Sequence, residues 1–277
     1  VIDAHHHFWQ IGQHDCIWPT PDLIEIYRDF LPADFASIAQ AAGVTGSVIV
    51  QSQESDLDTD FLLRIANESA LIKAVVGWVD LLSPVAVARI KQLAQHPKFR
   101  GLRPMLQGLD DSWILNPSLE PAINEMKDSG LSLDALVRVP QLPYLRIFAK
   151  RHPTLPIVID HGAKPNIDRG EFKSWLAELA SIADLPQVYC KLSGLLTEAS
   201  AEQGVDELRA YIVELYQLFG AERLMWGSDW PVLALAPNTD YAGYGDWLTM
   251  AKNLLPVASA NELEAIFGST ARKFYRF

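Results

Sequence analysis

Apolar residues in this chain fall into two alternating kinds of run. The first kind is short, continuous and rich in Val, Ile, Leu or aromatic residues: "VIDAHHH", "TGSVIVQSQ", "KAVVGWVDL", "FRGLRPML", "LSLDALVR", "LPIVIDHG", "QVYCKLSG" and "RLMWGSDWP". Their bodies lack the every-other-residue polarity of a half-exposed sheet, which is the pattern of parallel strands covered on both faces. The second kind has helical spacing. "DTDFLLRIANESALI" opens on aspartates able to cap it, and "SPVAVARIKQLAQHP" carries Ser then Pro at its start and Pro at its end. "NPSLEPAINEMKDSG" closes on Gly130 and "VDELRAYIVELYQLFG" on Gly220. "NELEAIFGSTARKFYRF" reads as a last helix folded against the wall in spite of Gly268.

Eight strands, each followed by a helix, in 277 residues is the count for an α/β fold of the (β/α)8 or TIM-barrel type. A doubly wound open sheet is the alternative, but no GxGxxG follows the first strand. With no low-complexity tract and no Gly/Ser linker, residues 1–277 are expected to form one barrel domain. The stretch from Phe8 to about Asp34 is too long for an ordinary βα connection, and it predicts an extended loop after strand one on the functional face.

Composition narrows the function. A net charge of −11 argues against a nucleic acid or an anionic membrane surface as partner, while leaving room for a small anionic substrate in a local cationic pocket. Cys16 and Cys190, far apart and outside any CxxC, predict two reduced thiols. No apolar run reaches the roughly 18 residues of a membrane span, and no charged segment leads into a short apolar one at the start. The expectation is a soluble, cytoplasmic protein acting on a small molecule. Nothing in the sequence speaks to oligomeric state.

In a barrel of this kind the chemistry sits at the C-terminal ends of the strands. Strand one ends in "DAHHHFW", so His5 and His7 share parity and point one way while His6 points the other. Strand six ends in His161, strand eight in Asp229, and strand four offers Arg103. Each has an ordinary reading when taken singly: a hydrogen-bonded histidine, a helix cap, an ion-pair partner. Two alternate histidines, a third histidine and an aspartate at the ends of three different strands are better read together as a catalytic mouth.

"DAHHHFW", "VIDHGAKP" and "MWGSDWP", with "RDFLP", "AVVGWVDL" and "FRGLR" between them, resemble the amidohydrolase superfamily, and more narrowly its amidohydrolase-related lactonase branch. The similarity runs from Val1 to about Tyr275. It implies a barrel hydrolase acting on a lactone, with His5 and His7 as the first-strand pair, His161 as the sixth-strand histidine and Asp229 as the eighth-strand aspartate. Members with two metals carry a bridging Lys or Glu on strand four and a histidine on strand five. Here those strands offer Arg103 and Arg138, so a two-metal centre is not expected. No cofactor is required on this reading, or else one Zn²⁺ is held by His5, His7, His161 and Asp229, a reasonable N/O ligand set.

The expected reaction is hydrolysis of an aldonolactone of the L-fucono- or L-rhamnono- type. Asp229 is the base for the attacking water, and the three histidines orient the water and donate to the carbonyl oxygen. Arg103, Gln53 and Lys164 are candidates for the substrate's oxygens, with Arg138 and Gln51 as weaker ones. Trp9, Trp78 and Trp230 are expected to line or roof the mouth against the C–H face of a sugar ring, with Trp18 and Tyr27 closing over it from the long loop. The rival readings are a 2-pyrone-4,6-dicarboxylate-type lactonase, a Zn-dependent decarboxylase on the same scaffold, and a non-catalytic sugar-binding barrel.

Overall fold

Continuous apolar strands need a covering layer on each face. The computed structural model, which describes residues 1–256 and 259–277, supplies both. Strands β1 (Ile2–His6), β2 (Gly46–Val50), β3 (Ile72–Gly77), β4 (Phe99–Leu102), β5 (Ser132–Ala135), β6 (Ile157–Ile159), β7 (Val188–Leu192) and β8 (Leu224–Trp226) pair in chain order, every pair parallel. Backbone bonds close the ring at the mouth. Asp229 N–H donates to the His5 carbonyl at 2.8 Å, and His7 N–H donates to the Trp230 carbonyl at 2.8 Å. The eight segments expected to be strands overlap the eight observed, so the fold is the α/β TIM barrel.

Helices α1 (Pro32–Ala41), α2 (Asp56–Glu68), α3 (Ala86–Ala94), α4 (Glu120–Asp128), α5 (Leu142–Arg151), α6 (Phe172–Ala183), α7 (Val205–Arg223) and α8 (Tyr244–Leu254) follow the strands in turn. Two short helices, α9 (Ala260–Glu264) and α10 (Thr270–Tyr275), end the chain. The cap of α2 is Ser55, whose side chain accepts from Leu57 N–H at 3.0 Å, rather than an aspartate. Asp58 instead turns inward to accept from Ser52 N–H at 3.2 Å. The awkward Gly268 falls in a π-helical turn, Ala265–Ser269, that joins α9 to α10.

Side chains from the strands feed two cores. Ile49, Val75, Leu133, Ile157, Ile159, Leu192 and Trp226 pack outward against the helices. Ala4, Val48, Val50, Ala74, Val76, Val158 and Met225 fill the interior, together with Ala271, Phe274 and Tyr275 of α10. Removing a Val, Leu or Ile side chain from water in this way is worth about 1.5–3 kcal/mol. The pairing of β1 with β2 slips between Asp3 and His6. Ile2 and Ala4 point inward, so strict alternation would send His6 inward too. The irregularity resets the parity, so that His5 and His7 face the axis and His6 stacks on Phe35 of α1, 4.2 Å between ring centres.

Candidate active site

The C-terminal ends of the strands surround a cavity of about 710 Å³, bordered among others by His7, Arg103, His161, Lys164 and Asp229. At its floor one oxygen is the point of convergence. Asp229 Oδ1 lies 3.4 Å from His7 Nε2, 3.6 Å from His5 Nε2 and 3.9 Å from His161 Nε2. His5 and His7 face each other through their Nε2 atoms at 3.1 Å. Asp229 and His161 both have left-handed backbone, with φ of 58° and 55°, a strained conformation for non-glycine residues that clusters at functional sites.

Each imidazole is held from behind. His7 Nδ1 faces the Val50 carbonyl at 2.8 Å and His161 Nδ1 faces the Ser193 hydroxyl at 2.8 Å. His5 Nδ1 meets Lys191 Nζ at 3.2 Å. Two glycines allow this closeness: a Cβ on Gly194 would stand 2.5 Å from His161 Nδ1, and one on Gly227 would stand 2.7 Å from His5 Cβ. Beneath the floor, Lys191 Nζ lies 2.6 Å from Asp134 Oδ2 and 3.0 Å from Asp160 Oδ1. Tyr275 OH donates to Asp134 Oδ2 at 2.6 Å.

Burial sets the charges. It drives His161 down to about 4, against the opposing pull of Asp229 and Asp160. It also holds His5 well below its usual value, with the Lys191 cation adding to the effect. Both imidazoles are therefore neutral at pH 7. Burial alone would raise the Asp229 carboxyl, but His161, His7 and His5 outweigh it and hold the group below the usual carboxylate range. The floor at neutral pH sets the Asp229 anion beside the neutral imidazoles of His5 and His161.

His7, His161, Asp229, Arg103, Gln53 and Lys164 all border the cavity, and His5 is fully buried just below it. Arg103 is not a free fork. Its Nη2 donates to the Gln51 carbonyl, and its Nη1 lies 3.4 Å from both Asp160 Oδ2 and His5 Nε2. Gln53 is committed to the long loop, accepting from Ile17 N–H and Trp18 N–H at 3.1 and 3.3 Å and donating to the Trp18 carbonyl at 2.7 Å. Gln51 donates to the Arg103 carbonyl at 2.8 Å, and Lys164 is paired with Glu198 at 2.6 Å.

The aromatic expectations need correction. Trp18 borders the cavity, but Trp9, Trp78 and Trp230 do not. Trp9 donates to the Arg28 carbonyl at 2.8 Å and forms a small core inside the loop with Ile26 and Phe30. Trp230 packs against Phe8, Phe30 and Phe35, and the Trp78 backbone is tied to the Thr59 hydroxyl. Tyr27 and Arg138 are exposed away from the cavity. Sequence reasoning missed Asp134, Asp160, Lys191, Ser193 and Tyr275. The available signal was a lysine and two aspartates inside or ending otherwise apolar strands.

The protein-family pattern for amidohydrolases matches residues 2–277. The chain belongs to the amidohydrolase family. This amidohydrolase is 46% identical over 277 residues to an L-fucono-1,5-lactonase of Burkholderia ambifaria, spanning 99% of the chain and 95% of that protein. It is 33% identical to an L-fucono-1,5-lactonase of Burkholderia multivorans, again over 99% and 95% of the two chains. A crystal structure of an amidohydrolase from Burkholderia multivorans with bound zinc matches it with a TM-score of 0.89 and 33% identity, covering 99% of this chain and 98% of that one.

The donor set suits a single divalent ion. One atom each from His5, His161 and Asp229 lie within 4.8 Å of one another, and His7 Nε2 is close to two of them. Three imidazoles and a carboxylate are ordinary zinc ligands. The bond from His7 Nδ1 to the Val50 carbonyl is the kind of outer contact that orients a ligating imidazole.

Proposed function

We propose that this amidohydrolase opens a neutral sugar-acid lactone, of the L-fucono-1,5-lactone type, by attack of water on the lactone carbonyl. The observation that carries the reading is Asp229 Oδ1, ringed by three Nε2 atoms at 3.4–3.9 Å on the floor of the cavity. The ionised Asp229 takes a proton from the attacking water, a contribution of about 10²- to 10⁴-fold for a placed general base. His161 and Arg103, at the same floor, present N–H groups to the carbonyl oxygen as charge develops on it. The proton on Asp229 then passes to the ring oxygen as the acyl bond breaks, giving the open hydroxy acid.

The lining favours an uncharged ring. Asp15 and Glu54 border the cavity, and of its two cationic groups Lys164 is matched by Glu198 and Arg103 by Asp160. A pyrone dicarboxylate asks for several unpaired cations converging on it. Trp18, Leu136 and Val232 supply apolar surface for the C–H face of a sugar. The two relatives named L-fucono-1,5-lactonases support the same substrate class.

His5, His7, His161 and Asp229 are the residues that would hold a divalent ion, zinc by their chemistry. Such an ion supplies Lewis acidity when bound. The base and the donors described above belong to the chain itself. The test is acid release, followed with a pH indicator, from neutral aldono-1,5-lactones and from a pyrone dicarboxylate side by side. Turnover confined to the neutral lactones is expected, and preference for the dicarboxylate would overturn the assignment.

A further inference from the structure

His161 and Lys164 reach the cavity from the two ends of one unusual turn. His161, Gly162, Ala163 and Lys164 all have left-handed backbone, with φ of 55°, 58°, 64° and 47°. Side chains tolerate that conformation at single positions and seldom in a row. Lys164 N–H donates to the His161 carbonyl at 2.9 Å, closing the turn over three residues and returning its first and fourth members to the same side. Both border the cavity, whereas Gly162 and Ala163 are buried behind it, where the Gly162 carbonyl accepts from Trp175 Nε1 at 2.7 Å. The loop after β7 braces the turn at both ends. Its Ser193 hydroxyl meets His161 Nδ1 at 2.8 Å, and Glu198 Oε1 meets Lys164 Nζ at 2.6 Å.

Glu198 does not itself border the cavity. The paired side chains are only 17% and 13% exposed, so water and salt screen them little. Lys164 therefore faces the site with its charge already balanced from behind. This matters because the proposed substrate is neutral and its product is not: when the acyl C–O bond breaks, the ring ester becomes a hydroxyl and a carboxylate. An unbalanced ammonium at the cavity edge would retain that carboxylate, and would admit ligands carrying one of their own. We propose that Glu198 is a specificity-determining residue which, by neutralising Lys164 from outside the cavity, turns away carboxylate-bearing ligands and lets the acid product leave. The inference rests on the lactonase reading for the identity of that product, but its test measures binding and not turnover.

The experiment is calorimetric titration of the full chain with L-fuconate, the open acid, and with L-fucitol, which has CH2OH in place of the carboxylate. Wild-type protein should bind the acid no more tightly than the alditol; a clear preference for the acid would overturn the proposal even if no variant folds. In Glu198→Gln the acid should bind about tenfold or more tighter than in the wild type, with the alditol within about threefold. That gain should shrink in high salt and vanish in Glu198→Gln combined with Lys164→Met, because it runs through the ammonium. An equal gain for both ligands would make Glu198 a structural brace and overturn the assignment. Binding of the alditol with no gain for the acid would overturn it alone, whereas binding of neither ligand to any variant would overturn the sugar-acid reading along with it.

Discussion

Asp3 and Ser228 are joined twice across the seam of the barrel: Ser228 N–H donates to Asp3 Oδ1 at 2.9 Å, and its hydroxyl donates to Oδ2 at 2.6 Å. The same carboxylate accepts from His5 N–H at 3.1 Å and Tyr244 OH at 2.9 Å. This knot holds the strand end bearing His5 beside the turn bearing Asp229. Replacing Asp3 by Ala strips the acceptor from these buried donors, each of which costs about 1–3 kcal/mol when left unpaired. The variant should lose several kcal/mol in urea unfolding and lose turnover with it.

The same aspartate predicts a pH dependence. Burial pushes its carboxyl up to about 6, with the bonds from Ser228, His5 and Tyr244 pulling the other way. Between the unfolded value near 3.8 and about 6, the folded chain holds a proton that the unfolded chain has released. The group's stability contribution is thus complete below about 3.8 and is lost as pH rises through 6. At about 1.4 kcal/mol per pH unit this amounts to roughly 3 kcal/mol. Urea unfolding at pH 4.5 and 7.5 should show Asp3→Asn gaining on the wild type at the higher pH; a constant difference would contradict the assignment.

Asp229→Asn keeps the side chain's shape and tolerates left-handed backbone, but it removes the base. Turnover should fall by about 10²-fold or more, with thermal unfolding little changed. A variant that keeps most of its turnover would move the base elsewhere.

Much of this was legible in the chain, and what was not has a physical cause. Eight strands could be read because both faces of each are covered, so their apolar runs are continuous. The His5/His7 pairing followed from parity at the strand end, even though the slip in β1 reverses parity just before it. Lys191, Asp134 and Asp160 escaped notice because they stand on or at the ends of three different strands, far apart in the sequence. Only closure of the barrel brings the two carboxylates within 2.6–3.0 Å of Lys191 Nζ. Trp9 and Trp230 misled because an aromatic following a strand can turn outward as well as over the mouth. Both fill the apolar space between the long loop and the barrel.

That loop gives a fourth prediction. Gln53 bonds Ile17 N–H, Trp18 N–H and the Trp18 carbonyl, anchoring the stretch that borders the cavity. Gln53→Ala removes these three loop bonds, of about 1 kcal/mol each, and a fourth to the Ser52 hydroxyl. KM should rise about tenfold with kcat less affected, and limited proteolysis should cut sooner near the exposed Ile17. Equal KM and equal cleavage rates would show that the loop is anchored elsewhere.

The central claim is that the chain's own carboxylate and imidazoles open the lactone, and the most direct measurement is acid release from L-fucono-1,5-lactone by protein stripped of metal with a chelator. The account predicts turnover well above spontaneous ring opening before any metal is returned, and its loss in Asp229→Asn. Turnover that appears only after zinc is added back, or never appears, would contradict it.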